Sequence, residues 1–367
     1  MSEINFDPVT LTQSLVKCAS VTPKDEGALT VVENHLSAIG CDCHPLIFSG
    51  NNSYEVKNLF ATIGNEGKHF AYAGHTDVVP VGNENSWKYP PFSARIDDGK
   101  LYGRGSEDMK SSVACFISAA KRFVDKYKNI PGKISFIITG DEERDSVNGT
   151  PRILEWASKQ NYKFDHCLVG EPTSKNEVGD KVKIGRRGSV SFFFQVKGIQ
   201  GHTANSHLAE NSSHHLVNLL NSILEEPLDE GNENFLPTSV QIATIDIGNP
   251  VQNVIPELAK ATVNIRFNDM HSSDSLIKWI DNKIEKIFSK LENASCTYTY
   301  DATAESFLNK AGDLYNIISK SISDVTGRNS PPEQATDGGT SDARYIKNYC
   351  EVVELSLIHI SEPTRPY

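Results

Sequence analysis

Three short apolar runs constrain this chain most: HFAYAG, KISFIITG and HCLVG, each followed at once by acidic or imidazole side chains. His75 follows the first, Asp141-Glu142-Glu143 the second and Glu171 the third. Brief apolar runs bounded by glycine read as strands buried on both faces. Their alternation with helical stretches up to about Pro172 predicts a parallel sheet covered by helices. In such an open α/β sheet the carboxyl ends of the strands form the crevice where ligands bind, so residues distant in sequence can meet there. Asp108 arrives differently, after LYGRGS and at the opening of the helix-like stretch MKSSVACFISAAKRFVD.

Ligand type gives the chemistry. His75, Asp108, Glu143 and Glu171 form a borderline-to-hard nitrogen and oxygen set that suits Zn²⁺ or a similar divalent ion. One zinc needs only three protein ligands and a water. The surplus carboxylates therefore point to a second ion, with Asp108 as a bridge across about 3.5–4 Å. Asp77 lies two positions past His75 and projects to the same side of an extended backbone. It is expected to accept the ring N–H of His75 and fix its tautomer. Glu142 is a candidate general base for the attacking water.

At 367 residues the chain has room for about two domains. The balance of 36 Lys+Arg against 47 Asp+Glu, a formal charge of -11, argues against nucleic acid or an anionic membrane as the main partner. A small anionic substrate stays compatible with it if arginines cluster locally. No apolar segment approaches the roughly 20 residues that span a bilayer. MSEINFDPVT also lacks the pattern of a signal peptide, so residence in the cytosol is expected. Seven scattered cysteines do not make a disulfide framework. Cys41-x-Cys43-His44 is too tightly spaced for a zinc cluster, and Cys115 and Cys167 read as small core residues.

Helices are expected over about 9–20 and 26–39, the second stopping at Gly40. The character changes after about residue 178. KIGRRGSVSFFFQVKG reads as a strand, NSSHHLVNLLNSILEE as a helix, SVQIATIDIG and AKATVNIRF as strands, and DSLIKWIDNKIEKIFSKL as a helix. That order predicts a ferredoxin-like α+β insert with an antiparallel sheet. The expected organisation is a catalytic domain over 1–177, an inserted dimerisation or lid domain over 178–293, and a return to the catalytic domain over 294–354.

Taken in order, His75-Thr76-Asp77, Gly105-Ser106-Glu107-Asp108-Met109-Lys110, Asp141-Glu142-Glu143 and Gly170-Glu171-Pro172 resemble the dizinc metallopeptidase family that includes aminoacylases and glutamate carboxypeptidases. Gly185-Arg186-Arg187-Gly188-Ser189, Gly198-Ile199-Gln200-Gly201-His202, Asn253-Val254-Ile255-Pro256, Asn264-Ile265-Arg266-Phe267 and Gly338-Gly339-Thr340-Ser341-Asp342-Ala343-Arg344 extend the resemblance over residues 5 to about 354. It implies two Zn²⁺ ions, with Co²⁺ able to substitute. His75 and Glu171 would each bind one, Asp108 would bridge and Glu143 would complete the first site. Asp77 would orient His75, and Glu142 would take a proton from water and pass it to the departing amine. The resemblance also implies a homodimer in which His202 reaches the partner subunit's site and stabilises the oxyanion. Arg187, Asn253, Arg266 and Gly339-Thr340 would hold substrate carboxylates, a task suited to the planar guanidinium.

The implied activity is cleavage of N-succinyl-LL-2,6-diaminopimelate to LL-2,6-diaminopimelate and succinate, on the route to lysine. Another N-acyl-amino-acid deacylase, acting on acetylornithine or acylated amino acids, is the nearest alternative. A non-catalytic metal-binding dimeric scaffold is the alternative from a different class; retention of Glu142 weighs against it. The chain departs from the family pattern at Arg144, where glycine is usual, and at Asn205-Ser206, where Tyr-Pro is usual. The family's fifth metal ligand is a histidine near the carboxyl terminus, where this chain runs LSLIHISEPTRPY over 355–367. That string resembles translated sequencing adapter and is expected to replace the native ending, with His359 short of the ligand position.

Overall fold

The computed structural model describes residues 4–50, 52–127, 129–309 and 312–357. The chain divides into two compact units. One takes the described residues of Met1–Ile184, Asn309–Ala335 and Ser341–Tyr367, and the other takes Gly185–Leu308 with Thr336–Thr340.

An eight-stranded sheet organises the first unit, in the order Asp42–Gly50, Ser53–Gly64, Lys133–Thr139, His69–His75, His166–Val169, Glu351–Glu354, Lys181–Lys183, Glu333–Ala335. His69–His75 runs parallel to both of its neighbours, and Glu351–Glu354 continues the parallel set beyond His166–Val169. Their carboxyl ends therefore lie along one edge, which brings His75, the loop after Thr139 and Glu171 to a common rim. Ala71, Ala73, Phe136, Ile137, Ile138, Cys167 and Val169 are almost wholly excluded from solvent, as expected of parallel strands covered on both faces. The first two strands form an antiparallel hairpin whose second arm pairs antiparallel with Lys133–Thr139.

The helix expected over 9–20 spans Pro8–Lys17, because Cys18 is already extended and Val21 forms a bridge with Val78. Asp7 caps it by accepting from the Thr10 N–H at 2.8 Å. This helix, Ala28–Ala38 and Ser111–Lys126 bury Leu11, Leu15, Val32, Leu36, Val113 and Ile117 in one cluster with the sheet. An apolar cavity of about 610 Å³ is lined by Phe70, Phe116, Leu314, Ile317, Leu357 and Cys115. Cys115 is thus exposed, which corrects the expectation that it is a core residue, whereas Cys167 is buried.

The second unit holds a four-stranded antiparallel sheet in the order Ser239–Asp246, Leu258–Phe267, Gly188–Lys197, Ser295–Ala304. Helices Ser212–Leu224 and Ser273–Phe288 complete a β-α-β-β-α-β chain order, the ferredoxin-like arrangement. Every second residue of Gly188–Lys197, namely Val190, Phe192, Phe194 and Val196, enters the core with Val263, Ile265, Leu216 and Leu276.

Two boundaries differ from the expectation. Lys181–Lys183 pairs with strands of the first sheet, so the second unit begins at Gly185 and not at 178. Ser295–Ala304 pairs along Gly188–Lys197, so the unit ends at Leu308 and not at 293. KIGRRGSVSFFFQVKG is also not one strand: breaks at Ile184 and Arg187 divide it among Lys181–Lys183, Gly185–Arg186 and Gly188–Lys197. Among the described residues, no helix is long and apolar enough to cross a membrane.

Candidate active site

His75 is the last residue of its strand and is 1% exposed. Its Nδ1 lies 3.0 Å from the main-chain carbonyl of Asp77. A carbonyl can only accept, so Nδ1 carries the proton and Nε2 turns toward the rim. There Nε2 meets Asp108 Oδ1 at 3.1 Å, Glu171 Oε1 at 3.6 Å and Glu142 Oε2 at 4.0 Å. The expected bond from this ring to the Asp77 carboxylate is corrected, since that oxygen stands 3.6 Å from Nδ1. The carboxylate is engaged elsewhere: it accepts from Thr22 Oγ1 at 2.7 Å and from the backbone N–H groups of Glu142 and Glu143 at 3.2 and 3.1 Å. Asp77 therefore holds the ring through its backbone and the two glutamates through its side chain.

Each of the other acids is placed by a local device. Asp108 sits in the Ser106–Lys110 turn with extended backbone, just before the Ser111–Lys126 helix. The turn is tethered by Lys110, whose Nζ donates to the carbonyls of Leu15 and Cys18 at 3.0 and 2.8 Å. Glu171 follows Gly170, where a Cβ would strike the paired hydroxyls of Tyr72 and Ser112. Only glycine fits that close approach. The loop carrying Glu142 and Glu143 is shaped by Asp141, which accepts from Tyr54 Oη at 2.5 Å and from the N–H groups of Val147 and Asn148 at 3.1 and 3.0 Å.

The electrostatics of this rim follow from burial and crowding. Burial pushes Glu142 well above the usual carboxylate range, and repulsion from Glu171, Glu143 and Asp342 reinforces it against the pull of His75. Burial, then Asp108, raises Glu171 to about 7. For His75, burial opposes the charged ring, yet Asp108 and Glu171 outweigh it and hold its pKa well above the ordinary value. A positive charge at Nε2 is what this site demands, whether a proton or a metal ion. Two sets of donor atoms, His75/Asp108/Glu143 and His75/Glu142/Glu171, each lie within 4.8 Å of one another. Both consist of one imidazole nitrogen and carboxylate oxygens, so the residues present fit divalent cations. Glu142, expected as a base, falls inside the second set. Among the described residues these are the only such groups, and Cys41, Cys43 and His44 form none.

Sequence reasoning missed two buried acids of the same unit. Asp342 is 5% exposed and accepts from Ser146 Oγ at 3.0 Å and Thr150 Oγ1 at 2.6 Å. Glu354 is 1% exposed, accepts from Ser341 Oγ at 2.5 Å and adds to the repulsion felt by Glu171. The Gly-Gly-Thr-Ser-Asp-Ala-Arg string was the available signal for Asp342. His359 lies outside the described residues.

The residues expected to bind carboxylates, and His202, all belong to the second unit. Arg187 Nε is buried with no hydrogen-bond partner. Arg266 donates from Nε to Asn264 Oδ1 at 3.1 Å, and burial followed by the like charge of Arg187 lowers its pKa. The two guanidinium groups thus share one neighbourhood. His202 is exposed, and its Nδ1 accepts from the Ala204 N–H at 3.0 Å, which leaves the ring proton on Nε2. The Asn253 amide nitrogen is 3.4 Å from that Nε2. Gly339 is held by its carbonyl, which accepts from Arg186 Nη1 at 2.9 Å.

The sequence pattern of peptidase family M20/M25/M40 matches residues 71–363. The succinyl-diaminopimelate desuccinylase of Parvibaculum lavamentivorans is 44% identical over 352 residues, covering 96% of this chain and 88% of that protein. Among solved structures, the M20 family metallo-carboxypeptidase Sso-CP2 of Sulfolobus solfataricus superposes with a TM-score of 0.74 at 16% identity, covering 95% of this chain and 91% of that one. The YXEP protein of Bacillus subtilis, a dinuclear metal-binding peptidase of the M20 family, superposes with a TM-score of 0.66 at 13% identity over 97% of this chain and 89% of its own. Those two structures share the fold, and the extent of the sequence match carries the kinship: this chain belongs to peptidase family M20/M25/M40.

Proposed function

We propose that this protein is a dinuclear zinc amide hydrolase that cleaves N-succinyl-LL-2,6-diaminopimelate to LL-2,6-diaminopimelate and succinate. The observation that carries the hydrolytic part is the convergence of His75, Asp108, Glu142, Glu143 and Glu171 on one partly buried rim. The substrate follows from the 44% identical desuccinylase, which covers 96% of this chain, and is supported by the neighbouring Arg187 and Arg266. In this reading the protein works in the cytosol as a homodimer. Ser239–Asp246 is an edge strand of the second sheet, and Ile245 and Ile247, with Val217 and Leu224 on the adjoining helix, are exposed apolar residues that a second copy would cover.

His75, Asp108, Glu143 and Glu171 would hold the ions in this scheme. When bound, two divalent cations lower the pKa of a water toward about 7 and polarise the amide carbonyl. Glu142 accepts the proton lost by that water as its oxygen bonds to the carbonyl carbon. The same proton passes to the amine nitrogen as the C–N bond breaks, leaving Glu142 as it began. His202 Nε2–H donates to the developing oxyanion. Arg187, Arg266, Asn253 and the Gly339-Thr340 loop orient the substrate through its carboxylates.

Steady-state rates on N-succinyl-LL-2,6-diaminopimelate and on N-acetylornithine test the substrate. The succinyl compound is expected to win in kcat/KM by at least about tenfold, equivalent to about 1.4 kcal/mol of transition-state binding. A tenfold preference for the acetyl compound overturns the assignment. Absence of turnover of either with two metals bound overturns the enzyme and favours a scaffold.

A further inference from the structure

Thr336–Thr340 is a five-residue strap without regular structure that packs as part of the second unit, although the chain on either side of it belongs to the first. Arg186 grips its far end by donating from Nη1 to the carbonyls of Gly339 at 2.9 Å and Asp337 at 3.4 Å. The near end is clamped by Thr336, 6% exposed, whose Oγ1 donates to the main-chain carbonyl of Asn234 at 2.5 Å.

What places the Asn234 carbonyl is a hub one turn away. The Asp229 carboxylate, 2% exposed, accepts from Gly231 N–H at 2.7 Å, Thr238 N–H at 3.2 Å, Asn268 Nδ2 at 2.6 Å and His271 Nε2 at 3.0 Å. Those contacts close a loop within which Asn232 Oδ1 accepts from the N–H groups of Asn234 and Phe235 at 2.9 and 3.0 Å. Gly231 completes it at φ +78, with no room for a Cβ beside the Phe235 carbonyl and Pro237 nitrogen. The Asp229 and Thr336 ends of this chain of side-chain to backbone contacts are buried, the Asn232 link between them is exposed, and it ends on the strap bearing Gly339 and Thr340.

We infer that Asp229 and Thr336 are positioning residues for substrate carboxylate recognition: the Asp229 hub fixes the Asn234 carbonyl, and the Thr336 hydroxyl transmits that position to the Gly339-Thr340 end of the strap. This rests on the reading of Gly339 and Thr340 as carboxylate contacts. A purely structural role for Asp229 and Thr336 would alter melting behaviour and not the discrimination between a carboxylate and its neutral analogue.

The test uses the full-length, metal-loaded protein and two substrates, an N-succinyl amino acid with a free α-carboxylate and the same compound as its primary amide. Thr336→Val keeps the side-chain shape and removes the hydroxyl. It should raise KM for the carboxylate about tenfold while changing kcat by less than about twofold and leaving the amide unaffected, since only orientation is lost. Thr336→Ser should restore the carboxylate KM, and Asp229→Asn should raise it in the same direction. Should Thr336→Val lower the melting temperature, the ratio of carboxylate to amide KM decides, because a loss of folded protein lowers the rate on both substrates alike and leaves that ratio unchanged. Thr340→Val separates the two levels. If it leaves the preference for carboxylate over amide intact, the carboxylate reading falls and the positioning role with it. If it abolishes the preference while Thr336→Val and Asp229→Asn leave it unchanged, the positioning role alone falls.

Discussion

Each unit holds one local cluster of charge, and the two clusters are of opposite sign. On the first, His75 is ringed by Asp108, Glu142 and Glu171, with Glu354 and Asp342 close behind. On the second, Arg187 and Arg266 crowd each other, one with a buried nitrogen lacking a partner. The responses mirror one another: burial and like charge push Glu142 and Glu171 up and Arg266 down, each toward its neutral form. Neither arrangement is what stability alone would select, because a buried charge among its own kind costs free energy until a counter-ion arrives. The acidic rim is complementary to cations and the arginine pair to carboxylates. Each unit thus lacks half of its own electrostatics, and a metal-dependent hydrolase of an anionic substrate supplies both halves.

The sharpest way to break this contrast is at Glu142. If it is the base, Glu142→Ala should lower kcat by about 10² to 10⁴ with metal content unchanged, because the proton acceptor alone is removed. Loss of bound metal in that variant would move Glu142 into the ligand set, an outcome its distances to His75 and Glu171 make meaningful.

Chelation addresses the acidic half directly. Restoring Zn²⁺ at a hundredfold excess over its Kd should raise the free energy of unfolding by about 2.7 kcal/mol if the ion binds only the native state. Urea denaturation with and without metal measures it. An unchanged midpoint would mean that the rim is satisfied by protons and that its composition reflects something other than cation binding.

Arg266→Lys probes the cationic half. Lysine keeps the charge and loses the planar fork, so KM for a dicarboxylate substrate should rise about tenfold, near 1.4 kcal/mol, with kcat little altered. An equal rise for a substrate without carboxylates would show that Arg266 shapes the unit and not the ligand.

The strands that form the rim were readable because His69–His75, Lys133–Thr139 and His166–Val169 are buried on both faces, which leaves an unbroken apolar signature in the sequence. Local patterning also marks both long helices and three of the four sheet strands of the second unit, Gly188–Lys197, Ser239–Asp246 and Leu258–Phe267, and leaves out the fourth. Pairing partners were not legible: Ser295–Ala304 has a largely exposed pattern that says nothing of its ladder with Gly188–Lys197. For the same reason the boundary at Leu308 was misplaced. At the site, residue type and position past a strand point to His75, Glu143 and Glu171, whose donor atoms fall within the two clusters at the rim. The side chain that Asp77 turns to the glutamate N–H groups and the buried Asp342 depend on contacts between residues 65 and 196 apart, and Glu354 on a bond to Ser341, 13 residues away in another element. No local pattern encodes those.

The smallest expected effect concerns how the two units answer acid. Burial alone would raise the pKa of Asp229, but hydrogen bonds from Thr238, Gly231 and Asn268 overcome it and leave the carboxyl below its ordinary value of 3.8. A carboxyl whose pKa is lower in the folded than in the unfolded state binds fewer protons when native, so its contribution is complete above the unfolded value and drains away as pH falls through the folded one. Asp229→Asn should therefore cost about 1 kcal/mol near neutral pH, the scale of one ordinary hydrogen bond, since the amide oxygen still accepts and only the charge is lost. The variant and the parent should converge only as pH drops below about 4. Urea unfolding at a series of pH values from 7 downward measures the gap. A gap that stays constant to the lowest pH at which the protein folds would show that the hub works through shape alone, and that the acid sensitivity of the second unit lies in other carboxyls.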